Sequence, residues 1–151
     1  MAFVIHLQGG RNVAVWKKDF TLQQLSGTVA GTMTGHIGIE FVGFGDDWLE
    51  ARMPVDQRTI QYMGIMHGGA AAALAETVGS YAANLALETG RAVGLELNIN
   101  HLRAVRSGYV LCRATARHIG RSTQVWEIEN RDERERTVSL ARLTMAVVAS
   151  D

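Results

Sequence analysis

Four side chains and one pair of glycines carry the reactive potential of this sequence, and they lie in the stretch Gln61 to Ser80, "QYMGIMHGGAAAALAETVGS". His67 is followed by Gly68 and Gly69 and then by an alanine-rich run that is interrupted by one carboxylate, Glu76. Where a chain enters a helix, the first backbone N–H groups have no intrahelical acceptor and carry the positive end of the helix dipole. Glycine lets a ligand approach them closely. Such a turn can hold a developing oxyanion, and His67 and the amide of Gln61 stand just before it, where they could orient or polarise a carbonyl. The plainer alternative is that the glycines only permit a tight turn, with His67 capping the helix.

Glu76 shifts that balance. A carboxylate in an apolar helix costs several kcal/mol unless it is hydrogen-bonded, hydrated or turned toward a cleft. Ser80 and Asn84 follow at four-residue intervals, so the three form one polar stripe on one face. The stripe is either a ladder that satisfies neighbouring backbone groups or the working face of a site. In the second case Glu76 acts as general base on a water or attacks an acyl carbon directly, and the helix N–H groups hold the oxyanion. That is acyl-transfer chemistry. Nine residues separate His67 from Glu76, about 13 Å of helix rise, too far for both to act on one carbonyl. If they act together, two copies of the chain must share the site, each giving one end of its helix, so the protein is expected to be at least a homodimer.

The elements that must position these groups are legible around them. Thr21 and Gln24 fit a capping box, and "TLQQLSGTVAGTM" reads as a short helix interrupted by glycines. "IGIEFVGF" and "WLEARMPV", separated by "GDD", read as a hairpin that Pro54 closes. From Gly68 or Gly69 to about Leu87 the chain is dominated by alanine and leucine, which predicts one long helix, apolar on almost every face and so wrapped on most sides. Beyond it, Val93, Leu95, Leu97 and Ile99 alternate with polar residues, and "GYVLCRATARHI", "STQVWEIEN" and "TVSLARLTMAVV" follow as further strands. Their short connections predict antiparallel pairing of consecutive strands. The run "RDERER" mixes signs and reads as a solvated turn. The expected class is α+β, an antiparallel sheet bent around a central helix.

Composition narrows the function classes. The 151 residues suffice for one domain with a real core, here taken as residues 16–151 behind an N-terminal extension of residues 1–15. Fifteen basic residues balance fifteen acidic ones, so no global field attracts nucleic acid or an anionic membrane. A single cysteine, Cys112, allows no internal disulfide, and no signal peptide or long apolar span is evident, which points to the cytoplasm. The five histidines show no ligand spacing, so no metal is expected, and no cofactor motif occurs. Ser80 lacks a GxSxG elbow, and Cys112 lies mid-strand, so neither reads as the nucleophile.

Taken together, "LEARMPVDQRT", "GIMHGGAAAALAETVGS", "VGLELNINHLR" and "HIGRSTQVWEI" resemble the hotdog-fold acyl-CoA thioesterases of the phenylacetate-degradation type. The likeness runs from about Trp16 to Val148 and is closest to the branch that contains 1,4-dihydroxy-2-naphthoyl-CoA hydrolase and the aryl carrier-protein proofreading thioesterase. The resemblance implies hydrolysis of an acyl-CoA thioester, with an aromatic acyl group, in a homodimer whose further pairing into a homotetramer stays open. It matches Glu76 to the catalytic carboxylate, Gln61 and His67 to the carbonyl-side residues, Gly68 to the oxyanion donor and Ser80 to the water-positioning hydroxyl. It also implies that His101, Arg103, Arg121 and Ser122 receive the coenzyme A moiety. Relatives carry "QPFG" where this chain has "QYMG", so the acyl pocket is expected to be reshaped; the loop "LETGRAVG" is also a residue shorter. Three rivals share the fold. A carrier-protein thioesterase stays an alternative, a non-catalytic acyl-CoA-binding protein would tolerate loss of Glu76, and a dehydratase has a proline near its histidine where this chain has two glycines.

Overall fold

A computed structural model describes residues 14–149. Thr21 caps α1 (Leu22–Thr28) through the predicted capping box: its hydroxyl accepts the Gln24 N–H at 3.2 Å, and the Gln24 side chain accepts the Thr21 N–H at 2.8 Å. That helix stops at Thr28, and a separate single turn, α2 (Met33–His36), capped by Thr32, starts at the last residue of the expected segment. The hairpin follows as β1 (Glu40–Phe44) and β2 (Trp48–Pro54), then the long helix α3 (Gly68–Leu85), which ends two residues before the expected Leu87. β3 (Arg91–His101), β4 (Tyr109–Ile119), β5 (Thr123–Asp132) and β6 (Thr137–Val148) complete one antiparallel sheet of order β1-β2-β4-β5-β6-β3.

Two expectations are corrected by that order. β3 does not pair with β4; it joins the far side of β6, while β4 pairs with β2 and β5. Getting from β3 to β4 means crossing three strand spacings, about 14 Å, which seven residues reach with ease. That crossing loop is tied down where Leu102 and Arg103 donate to the Val138 carbonyl and Met66 donates to that of Val105. It therefore walls the start of α3. The alternation in β3 also breaks. A bulge between Gly94 and Glu96 flips the phase, so Leu97 and Ile99 pack on the core while Val93 and Leu95 are exposed.

The core lies between the sheet and one face of α3. Ala71, Leu74, Ala75, Val78, Ala82 and Ala83 are wholly buried against Leu49, Met53, Val110, Trp126, Leu143 and Met145. A β-carbon at Gly79 would come within 2.5 Å of Leu143, so this glycine sets how closely the helix lies on the sheet. Three buried side chains of the sheet reach the helix backbone: Asn130 donates to Ala71 O, Gln124 to Ala83 O, and the Cys112 thiol lies 3.9 Å from Leu74 O. The C-terminal end of α3 is closed by Lys17, whose N–H donates to Leu85 O, and by Trp16, which stacks on Trp126. Residues 1–13 of the expected extension lie outside the described residues, whereas Val15 is joined to the fold through its N–H to Asp46 O.

The opposite side of α3 is less covered than the sequence suggests. Ala72, Ala73, Glu76, Thr77 and Ser80 are only half-buried in the single chain. The charged run Arg131–Arg136, which begins within β5, is likewise more than a solvated turn, because Arg131 donates to the buried Glu50 at 2.7 Å. No helix among the described residues is long and apolar enough to cross a membrane.

Candidate active site

His67 is the N-cap of α3, extended at φ −68° and ψ 134°. Its Nδ1 accepts the Gly69 N–H at 2.7 Å, and its carbonyl accepts those of Ala70 and Ala71. An accepting Nδ1 carries no proton, so the neutral ring presents Nε2–H outward. The capping alternative raised by the sequence is thus realised, and it does a second job. Of the four orphan donors at the helix start, three are taken locally, and among the described residues nothing accepts the Gly68 N–H.

The loop before the helix fixes Gln61. Gly64 donates to Gln61 O at 2.8 Å with φ +73°, closing a turn in which Tyr62 and Met63 are the exposed corner residues. The Met63 N–H is bonded to Oε1 of Gln61 at 2.6 Å, which leaves the side-chain NH₂ as the outward-facing donor. Gln61, Met66, Gly68, His101, Arg103 and Val138 line one cleft of about 390 Å³. His101 lies directly over Gly68, where a β-carbon would meet its Nε2 at 3.0 Å. The end of β3 and the crossing loop therefore bring His101 and Arg103 to the start of α3.

Glu76 sits eight residues along the helix from Gly68, about 12 Å away, facing β3. Ser80 Oγ donates to Glu76 Oε1 over a long 3.4 Å, and no cationic partner of Glu76 occurs among the described residues. Asn84, the third member of the stripe, is purely structural. Its Oδ1 accepts the Ala92 N–H at 2.9 Å and its Nδ2 donates to Ala92 O at 3.0 Å, clamping β3 to α3. Replacing Asn84 with alanine leaves both Ala92 groups without these partners, so a loss of about 1–3 kcal/mol is expected in urea unfolding. An unchanged midpoint refutes the clamp.

The four residues expected at coenzyme A do not meet within one chain. His101 and Arg103 lie at the end of β3 beside Gly68, whereas Ser122, whose carbonyl accepts the Val147 N–H, and Arg121 lie beside the Arg91 end. Ten residues of strand, about 33 Å, separate the two pairs. Cys112 is excluded as a nucleophile, since complete burial pushes its thiol well above the ordinary range.

Residues 63–139 match the model of the thioesterase superfamily. The chain is 47% identical over 135 residues to the proofreading thioesterase EntH of Cronobacter turicensis, a match covering 89% of this chain and 98% of that protein. It is 45% identical over 135 residues to 1,4-dihydroxy-2-naphthoyl-CoA hydrolase of Escherichia coli, covering 89% and 99% of the two chains. A crystal structure of a thioesterase from Haemophilus influenzae superposes with a TM-score of 0.88 at 50% identity, covering 89% of this chain and 95% of that one. With an antiparallel six-stranded sheet packed on a long central helix, and with these relatives, the chain belongs to the thioesterase superfamily and has its hotdog fold.

Proposed function

We propose that this thioesterase hydrolyses an aromatic acyl-CoA in a site completed by two copies of the chain. The carbonyl oxygen rests on the Gly68 N–H, with the Gln61 NH₂ and His67 Nε2–H beside it. Glu76 of the other copy takes a proton from water as the resulting hydroxide bonds to the carbonyl carbon. Collapse of the tetrahedral oxyanion breaks the C–S bond, and the proton held by Glu76 passes to the departing thiolate, giving acid and thiol. Ser80 steadies the carboxylate between these steps.

The observation that carries this reading is the Gly68 N–H, a donor at the α3 start that nothing among the described residues accepts. The relative named as a 1,4-dihydroxy-2-naphthoyl-CoA hydrolase supports an aromatic acyl group. The second copy is supported by β3. It is an edge strand of eleven residues with Val93 and Leu95 exposed, and an antiparallel partner strand there sets the His101 end of one chain beside the Arg91 end of the other. Such pairing also joins His101 and Arg103 of one copy with Arg121 and Ser122 of its mate, which no single chain does.

A thioester panel of aromatic acyl-CoA, fatty acyl-CoA and carrier-protein-bound aromatic acyl groups tests the assignment. Turnover highest on aromatic acyl-CoA is expected. Faster release from the carrier protein refutes coenzyme A as the carrier, and tight binding of every member without turnover refutes hydrolysis.

A further inference from the structure

β3 runs over α3 so that Gly94 faces Glu76. A β-carbon at Gly94 would stand 2.5 Å from Glu76 Oε1 and 3.6 Å from its Cδ, so the carboxylate occupies the space that any side chain at position 94 would need. The strand cannot yield easily there. Two residues earlier the Asn84 clamp holds both backbone groups of Ala92, and Gly94 itself is still in register with Met145 of β6, the bulge that turns Leu95 out coming only after it. Glu76 can yield, because it is the far end of a flexible, half-buried side chain.

We infer that Gly94 is a positioning residue for Glu76: its bare backbone is the seat against which the carboxylate is aimed at the thioester. This rests on Glu76 being the acting carboxylate. The consequence separates catalysis from folding. In Gly94→Ala the strand keeps its place, as alanine suits an extended strand at least as well as glycine, and the carboxylate swings away. A displacement on the order of 1 Å in a reacting group costs up to about a hundredfold in rate.

The experiment compares wild type, Gly94→Ala, Glu76→Asp and the double variant Gly94→Ala/Glu76→Asp on the best thioester of the panel, with kcat, KM and the urea midpoint read for each. Gly94→Ala is expected to lower kcat by about tenfold to a hundredfold, with KM and midpoint unchanged. Aspartate is one methylene shorter and does not reach the seat, so the alanine is expected to slow the Glu76→Asp enzyme less than twofold; such non-additivity marks two groups in direct contact. An equal loss in both backgrounds overturns the inference, as does a kcat loss that follows a fall in the urea midpoint, or full activity of Gly94→Ala. Glu76→Gln, measured alongside, tells the two failures apart: if it retains wild-type activity the base assignment has failed, and if it is inactive while Gly94→Ala is fully active only the seat has.

Discussion

Glu76→Gln is expected to lower kcat by at least about a hundredfold while leaving KM within a few-fold and the urea midpoint unchanged. Glutamine preserves the shape of the side chain and an oxygen for the Ser80 hydroxyl, so what the substitution removes is the ability to take a proton. Stability should not suffer. Glu76 is half-buried and no cation pairs with it among the described residues, so the fold gains nothing measurable from its charge. Steady-state kinetics and urea unfolding on the same preparations decide the matter. A kcat within tenfold of wild type means that another group activates the water, and an inactive variant whose midpoint has dropped means that the carboxylate was structural.

The sequence made the ends of the elements legible wherever a side chain caps or breaks the backbone. The Thr21–Gln24 box, the turn at Gly45 to Asp47 and the stop at Pro54 are local chemistry, and each appears where residue type alone places it. The order of strands is a different kind of information. Short connections favour neighbouring strands, yet the loop from His101 to Tyr109 crosses the end of the sheet instead, because Val105 is buried and its carbonyl is claimed by Met66. No pattern within β3 announces a partner several elements away. The bulge at Gly94 was hidden for a related reason: the alternation of Val93, Leu95, Leu97 and Ile99 looks regular, and only pairing with β6 shows which half faces inward. A glycine inside a strand was the available signal.

The site divides the same way. Glu76 stands out as a carboxylate in an apolar helix, a conflict between local composition and burial, whereas His67 and Gly68 stand out by their place where the chain enters that helix. Asn84 carried the same mark with a different cause, since its amide satisfies strand backbone rather than substrate. The orientation of the Gln61 amide depends on the turn that engages its oxygen, and that turn forms with Tyr62 in the corner position where the resemblance implies proline. Position 62 therefore needs no proline for the turn to close, and the departure in this chain changes what projects from the corner more than the corner itself.

Co-expression of Gly68→Pro with Glu76→Gln is expected to restore about a quarter of wild-type activity from two chains that are each nearly inactive alone. Gly68 is the first residue of α3, where proline is tolerated because its missing N–H would have no intrahelical acceptor, and the extended His67 before it suits the proline ring. The substitution deletes the unclaimed N–H and keeps the helix, at a cost in kcat of about a hundredfold or more, the usual effect of losing one oxyanion donor. Among the described residues, a β-carbon at position 68 would meet the end of the His101 ring at 3.0 Å. If each site joins the Gly68 end of one chain to the Glu76 of its mate, random pairing makes about half the dimers mixed, and each mixed dimer holds one site with both defects and one with neither. Activity near a quarter follows from that count alone. If instead each chain used its own Gly68 and Glu76, every site in the mixture would still carry one defect, and the mixture would stay as inactive as its components. The 12 Å of helix between the two groups favours the first outcome.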